Sequence, residues 1–94
     1  MTEGEVQRLI RVRGVVQGVN YRDLTRQRAR SLGIRGWVRN VADGSVEALA
    51  QGPEQAVSSL IHWMQTGPSS AHVDHLDVEE STTADRCASF EIAY

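Results

Sequence analysis

The stretch IRGWVRNVADGSVEALA, Ile34 to Ala50, decides the fold. Ile34, Gly36, Val38 and Asn40 share one phase of a strand that runs from Ile34 to Val41. Val46, Ala48 and Ala50 share one phase of the next strand. Between them, Ala42-Asp43-Gly44-Ser45 supplies a hairpin, because Asp-Gly tolerates the positive φ of a tight turn. Two strands are thus joined directly, with no helix between them.

Helices are predicted on both sides of this hairpin. Upstream, Tyr21, Thr25, Ala29 and Leu32 form one stripe at helical spacing, and Gly33 follows as the C-cap. Downstream, Gly52-Pro53-Glu54 opens a second helix, with proline at its first position and an acid in its first turn. Val57, Leu60, Ile61 and Met64 are its apolar stripe, and Gly67-Pro68 ends it. A strand precedes the first helix, with Val6, Arg8, Ile10, Val12 and Gly14 on one phase. Residues 71–80 read as a fourth strand whose phase slips from Ala71 and Val73 to Leu76 and Val78. A bulge near Asp74-His75 accounts for the slip. Residues 81–85 read as a polar loop, and Phe90, Ile92 and Tyr94 alternate in a short last strand whose placement is open.

The order is β-α-β-β-α-β plus a short strand. Each strand shows one buried phase and both helices need an apolar surface. The solution is an α+β, ferredoxin-like sandwich: an antiparallel sheet with two helices on one face. The 94 residues fit a single domain over 1–94, with residues 1–5 expected as a flexible tail. No long apolar run spans a membrane, and the polar, acidic start is wrong for a signal peptide. The single cysteine, Cys87, cannot form an internal disulfide, so a reducing cytoplasm is expected.

All ten basic residues are arginine. Without lysine, Schiff-base chemistry and a Walker-type phosphate loop are excluded. Charge is lopsided: residues 1–40 carry nine arginines and three acids, and residues 41–94 carry one arginine and nine acids. A basic first half points to an anionic ligand, although a solvated basic face has the same composition.

Two residues break local rules. Arg22 lies in the first turn of the first helix, where the dipole makes a cation unfavourable by roughly 0.3–1 kcal/mol. Asn40 stands on the apparently buried phase of a strand, where asparagine is depleted. In the split βαβ arrangement the first and second strands run parallel with one strand between them. Their C-terminal ends then lie on one side, about 10 Å apart. The Gly14–Val19 loop aims backbone N–H groups at the same gap, beside a helix N-terminus, a recipe for binding phosphate. Singly, each feature has an ordinary explanation as a solvated arginine, a turn-forming asparagine or a turn glycine.

The remaining candidates carry less. His62, His72 and His75 read as surface or satisfied histidines, and no metal-ligand spacing is present. Cys87 has Arg86 beside it but no histidine constellation. Trp37 and Trp63 read as packing groups. Arg26 and Arg30 read as a solvated stripe whose last member complements the helix C-terminus.

VRGVVQGVNYR at residues 12–22 resembles the first signature of the acylphosphatases. GWVRN at residues 36–40, followed by DGSVE at 43–47, resembles the second. Gln51-Gly52-Pro53, Trp63, Gly67-Pro68, Ala71-His72-Val73 and Phe90-Glu91-Ile92 also fit, so the resemblance covers about residues 6–94. It implies a hydrolase of carboxyl–phosphate anhydrides that needs neither metal nor cofactor. Arg22 matches the arginine that binds the phosphate together with loop amides, here those of Val15, Val16, Gln17, Gly18 and Val19. Asn40 matches the asparagine that orients the attacking water. A small acyl phosphate is the implied partner. Nucleic acid and membrane are not expected, and a free-standing monomer is. The competing reading is a non-catalytic phosphate- or effector-binding module of the same fold. Three departures stand out. Tyr21 replaces the commoner phenylalanine, so its hydroxyl needs a partner. Asn20 occupies a variable position and is expected to cap the helix. Val41 follows Asn40 where some members carry a hydroxyl.

Overall fold

The computed structural model describes residues 4–81 and 86–94. Its elements are β1 (Glu5–Val15), α1 (Tyr21–Ser31), β2 (Arg35–Asn40), β3 (Val46–Pro53), α2 (Glu54–Met64), β4 (His72–Glu80) and β5 (Phe90–Ile92). This is the predicted β-α-β-β-α-β order with a short last strand. Of the tail expected over residues 1–5, positions 1–3 lie outside the described residues, Gly4 is exposed and Glu5 opens β1. The polar loop expected over 81–85 likewise lies outside them, apart from Ser81.

The sheet order is β4-β1-β3-β2-β5. β1 pairs antiparallel with β3 and β4, and β2 pairs antiparallel with β3. β5 pairs parallel with β2, so the sheet is mixed rather than wholly antiparallel. The reason lies in where β4 ends. Glu80 is opposite Arg8 near the start of β1, at the end of the sheet where β2 also begins. The chain re-enters from that end and runs alongside β2. Its pairing is extended by Gly36 N donating to Ser89 O at 3.0 Å and Ala93 N to Val38 O at 2.8 Å.

The core lies between the sheet and the helices. Tyr21, Thr25 and Ala29 are the buried stripe of α1, and Val57, Leu60 and Met64 that of α2. They meet Ile10 and Val12 of β1, Val38 of β2, Val46, Ala48 and Ala50 of β3, and Phe90 of β5. Each buried valine, leucine, isoleucine, methionine or phenylalanine side chain contributes roughly 1.5–3 kcal/mol. α1 closes with a Schellman pattern, Gly33 N donating to Arg30 O and Ile34 N to Ala29 O at 2.9 Å. Pro53 stands one position earlier than expected: it is the N-cap of α2 and the last residue of β3. The bulge falls where the phase slip places it. Arg13 is opposite His75 and Gly14 opposite Val73, leaving Asp74 as the extra residue.

β3 departs from the one-buried-phase expectation. Glu47, Leu49 and Gln51 point away from the helices, yet they are only 5%, 2% and 4% exposed. Cross-strand rows cover them: Arg11–Glu47–Arg39, Leu9–Leu49–Trp37 and Gln7–Gln51–Arg35. Long side chains on the flanking strands lie over the central one and carry their charged ends outward. Glu47 Oε2 accepts from Arg11 Nη2 at 2.8 Å, and Oε1 from Arg39 Nη2 at 2.6 Å and Nε at 3.0 Å. The Arg39 guanidinium also lies 5.3 Å from the Trp37 ring centroid.

Desolvation pushes the Glu47 carboxyl up, but hydrogen bonds from Arg11 and Arg39 outweigh it and hold it below its ordinary 4.5. A carboxyl depressed in the fold stabilises it above the unfolded value and loses that contribution as pH falls through the folded one. Glu47→Gln is expected to lower stability at neutral pH by about 1–3 kcal/mol. It is also expected to flatten the decline below pH 4.5. Urea unfolding of both proteins across pH checks this. The buried Tyr21 hydroxyl donates to Met64 O at 2.6 Å, joining the start of α1 to the end of α2. Tyr21→Phe orphans that carbonyl and is expected to cost about 1–2 kcal/mol, measured as a lower thermal midpoint.

Candidate active site

The end of β1 and the loop that joins it to α1 are shaped by two glycines. At Gly14, φ is +133°, and a Cβ would stand 2.1 Å from the His72 carbonyl oxygen. A side chain there would push β1 away from the β4 bulge. At Gly18, φ is +74°, and two residues later Asn20 is left-handed with φ 62°. Turns of alternating hand of this kind let successive N–H groups face one side, the geometry of an anion-binding nest. Val15, the last residue of β1, is 56% exposed, and Val16, the first of the loop, is buried in the core.

Asn20 takes the N-cap position of α1, and its carbonyl accepts from Leu24 N at 3.1 Å. Its side chain makes no capping hydrogen bond, contrary to expectation. Side-chain capping belongs to an extended N-cap backbone, and φ 62° is left-handed. The first-turn N–H groups of α1 are therefore not served by that side chain.

Arg22 follows in this first turn, half-buried. It borders a cleft of about 230 Å³ formed by Val16, Gly18 and Asn20 of the loop, Tyr21 to Asp23 of α1, and Ile92 of β5. Its guanidinium lies 5.4 Å from the ring centroid of Tyr94. This cation–π contact offsets part of the unfavourable dipole position. Asp23, next along the chain, is held by Arg26 at 2.8 Å.

Asn40 is the last residue of β2, opposite Val46. It shares the phase of buried Gly36 and Val38 but is exposed, because it stands where the strand runs out. It is not among the cleft-lining residues, and neither are Val15, Gln17 and Val19. The loop and the Asn40 strand are nevertheless connected. The Gln17 carboxamide donates from Nε2 to Val41 O at 2.8 Å and to Ser45 O at 2.9 Å. The turn between those carbonyls is fixed by Asp43, whose Oδ1 accepts from Ser45 N at 2.9 Å and Ser45 Oγ at 2.6 Å. These bonds, helped by the Arg13 and Arg11 charges, hold the Asp43 carboxyl below its ordinary value.

Four side-chain contributions escape the sequence reading. The Gln17 side chain reaches across to a hairpin 24 residues away in sequence. Its only local signal is a lone carboxamide in a glycine-bounded loop. Ile92 borders the cleft and Tyr94 meets Arg22 because β5 lies beside β2, and nothing local marks them. Arg30 is more than a solvated partner of its own helix end. It donates to Phe90 O at 3.0 Å and pairs with Glu91 at 2.9 Å, fastening α1 to β5.

The other candidates lie elsewhere. His72 pairs with Asp74 and His75 with Asp77, both at 3.0 Å and exposed on β4, the strand at the far edge from β5. Among the described residues no group of three or more histidine, cysteine or acidic side chains is placed to hold a metal. Cys87 is half-buried, and its N–H donates to Gln51 Oε1 at 2.8 Å. Trp63 packs against Tyr21 with centroids 5.9 Å apart. Among the described residues no helix is long and apolar enough to cross a membrane.

The acylphosphatase family model matches residues 4–92. An acylphosphatase of Burkholderia thailandensis is 48% identical over 82 residues, covering 87% of this chain and 84% of the relative. One of Rhizobium meliloti is 46% identical over 92 residues, covering 98% and 97%. The crystal structure of the Bacillus subtilis acylphosphatase superposes with a TM-score of 0.90 at 37% identity, covering 95% of this chain and 99% of that one. Signature loop, βαββαβ sandwich and relatives agree: the chain belongs to the acylphosphatase family, enzymes that hydrolyse acyl phosphates.

Proposed function

We propose that Arg22 and the loop amides of Val15 to Val19 hold the phosphate of a small acyl phosphate, and that Asn40 orients the attacking water. The observation that carries this reading is Arg22, a cation kept in the first turn of a helix against its dipole, beside a loop of alternating hand. The guanidinium neutralises charge on the transferring phosphoryl group, and the N–H groups take its remaining oxygens. Asn40 holds water in line behind phosphorus. Water attacks, the bond from phosphorus to the carboxylate oxygen breaks, and carboxylate and inorganic phosphate leave. The carboxylate is a good leaving group and the transition state is loose, so positioning and charge neutralisation supply the rate without a strong base.

The reaction in this reading is metal-independent, and the protein is a cytoplasmic monomer that does not bind nucleic acid. The net charge of −2 speaks against a polyanion partner. The β4 edge carries Asp74, Asp77, Glu79 and Glu80, a run of like charge that opposes edge-to-edge pairing. Among the described residues the exposed large apolar side chains are scattered: Val15, Val78 and Tyr94.

Hydrolysis of benzoyl phosphate in excess EDTA tests the mechanism. The parent is expected to turn over. Arg22→Ala is expected to lose about 10³-fold or more in kcat/KM, together with inhibition by inorganic phosphate. Asn40→Ala is expected to lose about 10²- to 10³-fold in kcat while phosphate still binds. Loss of parent activity in EDTA overturns metal independence. A folded Asn40→Ala with parental kcat overturns the water-orienting role.

A further inference from the structure

We propose that the Gln17 side chain is a positioning residue that sets the spacing between the phosphate loop and Asn40. The inference rests on the roles given above to the loop and to Asn40. A carboxamide nitrogen carries two N–H donors, and Gln17 directs both to the root of one hairpin. Val41 O accepts one at 2.8 Å and Ser45 O the other at 2.9 Å. The same two carbonyls close the hairpin on itself: Val41 N donates to Ser45 O at 2.8 Å and Gly44 N to Val41 O at 3.0 Å. The carboxamide therefore locks onto a turn that is already rigid.

Both ends of this bridge adjoin the site. On one side, Val16 and Gly18 flank Gln17 and border the cleft. On the other, Val41 is bonded directly to Asn40. A shift of the loop relative to the hairpin changes the distance from the bound phosphorus to the water that Asn40 holds. In-line attack tolerates little such error, and a misplacement of about 1 Å costs about 100-fold in rate. No other uncharged side chain of this length fits the task. Asparagine is one methylene shorter, and glutamate would set a carboxylate against two carbonyl oxygens. Exchanging the side chain leaves the residue's own backbone N–H in place, so the bridge is separable from phosphate binding.

Gln17→Leu and Gln17→Glu, compared with the parent on benzoyl phosphate, provide the test. For Gln17→Leu, kcat is expected to fall about 10- to 100-fold, with inhibition by inorganic phosphate within about threefold of the parent. For Gln17→Glu, the ionised carboxyl repels both carbonyls at neutral pH. Once protonated, it regains a single O–H donor. The ratio of its kcat to that of the parent is therefore expected to rise as pH falls through the titration of the introduced carboxyl. A purely structural role lowers the thermal midpoint but does not produce that pH-dependent ratio. The proposal is overturned by a folded Gln17→Leu with kcat within about twofold of the parent. If Gln17→Leu does not fold, a pH-independent ratio for Gln17→Glu overturns it. An inactive parent removes the mechanistic reading and the positioning role together, whereas an active parent with unaffected variants removes only the latter.

Discussion

The Glu47 carboxylate is shared by Arg11 and Arg39, and the placement of the end of the sheet that carries the candidate site depends on it. It sits on β3 between β1 and β2 and bonds outward to both. An isolated buried carboxylate would cost several kcal/mol. Here three hydrogen bonds from two guanidinium groups compensate it. The same row fixes register. A one-residue slip of either flanking strand would send its arginine to the helix side and leave the buried Glu47 with a single cationic partner. Beyond this row β2 ends at Asn40, and β1 runs on to Val15 and into the loop before α1.

The site is assembled from features that oppose local preference. Arg22 stands at the wrong end of a helix dipole, Asn20 is a left-handed non-glycine residue, and Asn40 ends a strand. Backbone strain and unfavourable charge of this kind persist only where surrounding structure over-determines them. The over-determination is visible on every side. Val16 anchors the loop in the core, and Gly14 admits the β4 bulge against β1. Tyr21 is bonded to the end of α2, and Arg30 fastens α1 to β5. The Tyr21 hydroxyl thus adds a tie to α2 immediately before Arg22.

The charge asymmetry of the chain acquires a structural meaning in the same way. Nine arginines in the first forty residues looked like an anion-binding half. Most of them serve the fold instead. Arg11, Arg26, Arg30, Arg35 and Arg39 each pair with an acid, and Arg39 also stacks on Trp37. Arg22 is distinguished by its place on the cleft, where its guanidinium faces Tyr94.

What the sequence determined by itself was local. Period-two and helical spacing placed the strands and helices, Asp43-Gly44 placed the hairpin, and the phase slip in residues 71–80 located the bulge at Asp74. Arg22 and Asn40 stood out because each contradicts the preference of its own element. Tertiary structure decided what depends on neighbours distant in sequence. These were the parallel seat of β5 beside β2, the burial of β3 on both faces, the exposure of Asn40, and the reach of Gln17 to the hairpin. The physical reason is that periodicity reports which way a side chain faces along its own element. Whether that side is covered, and by which partner, is set by pairing between segments that only the folded chain brings together.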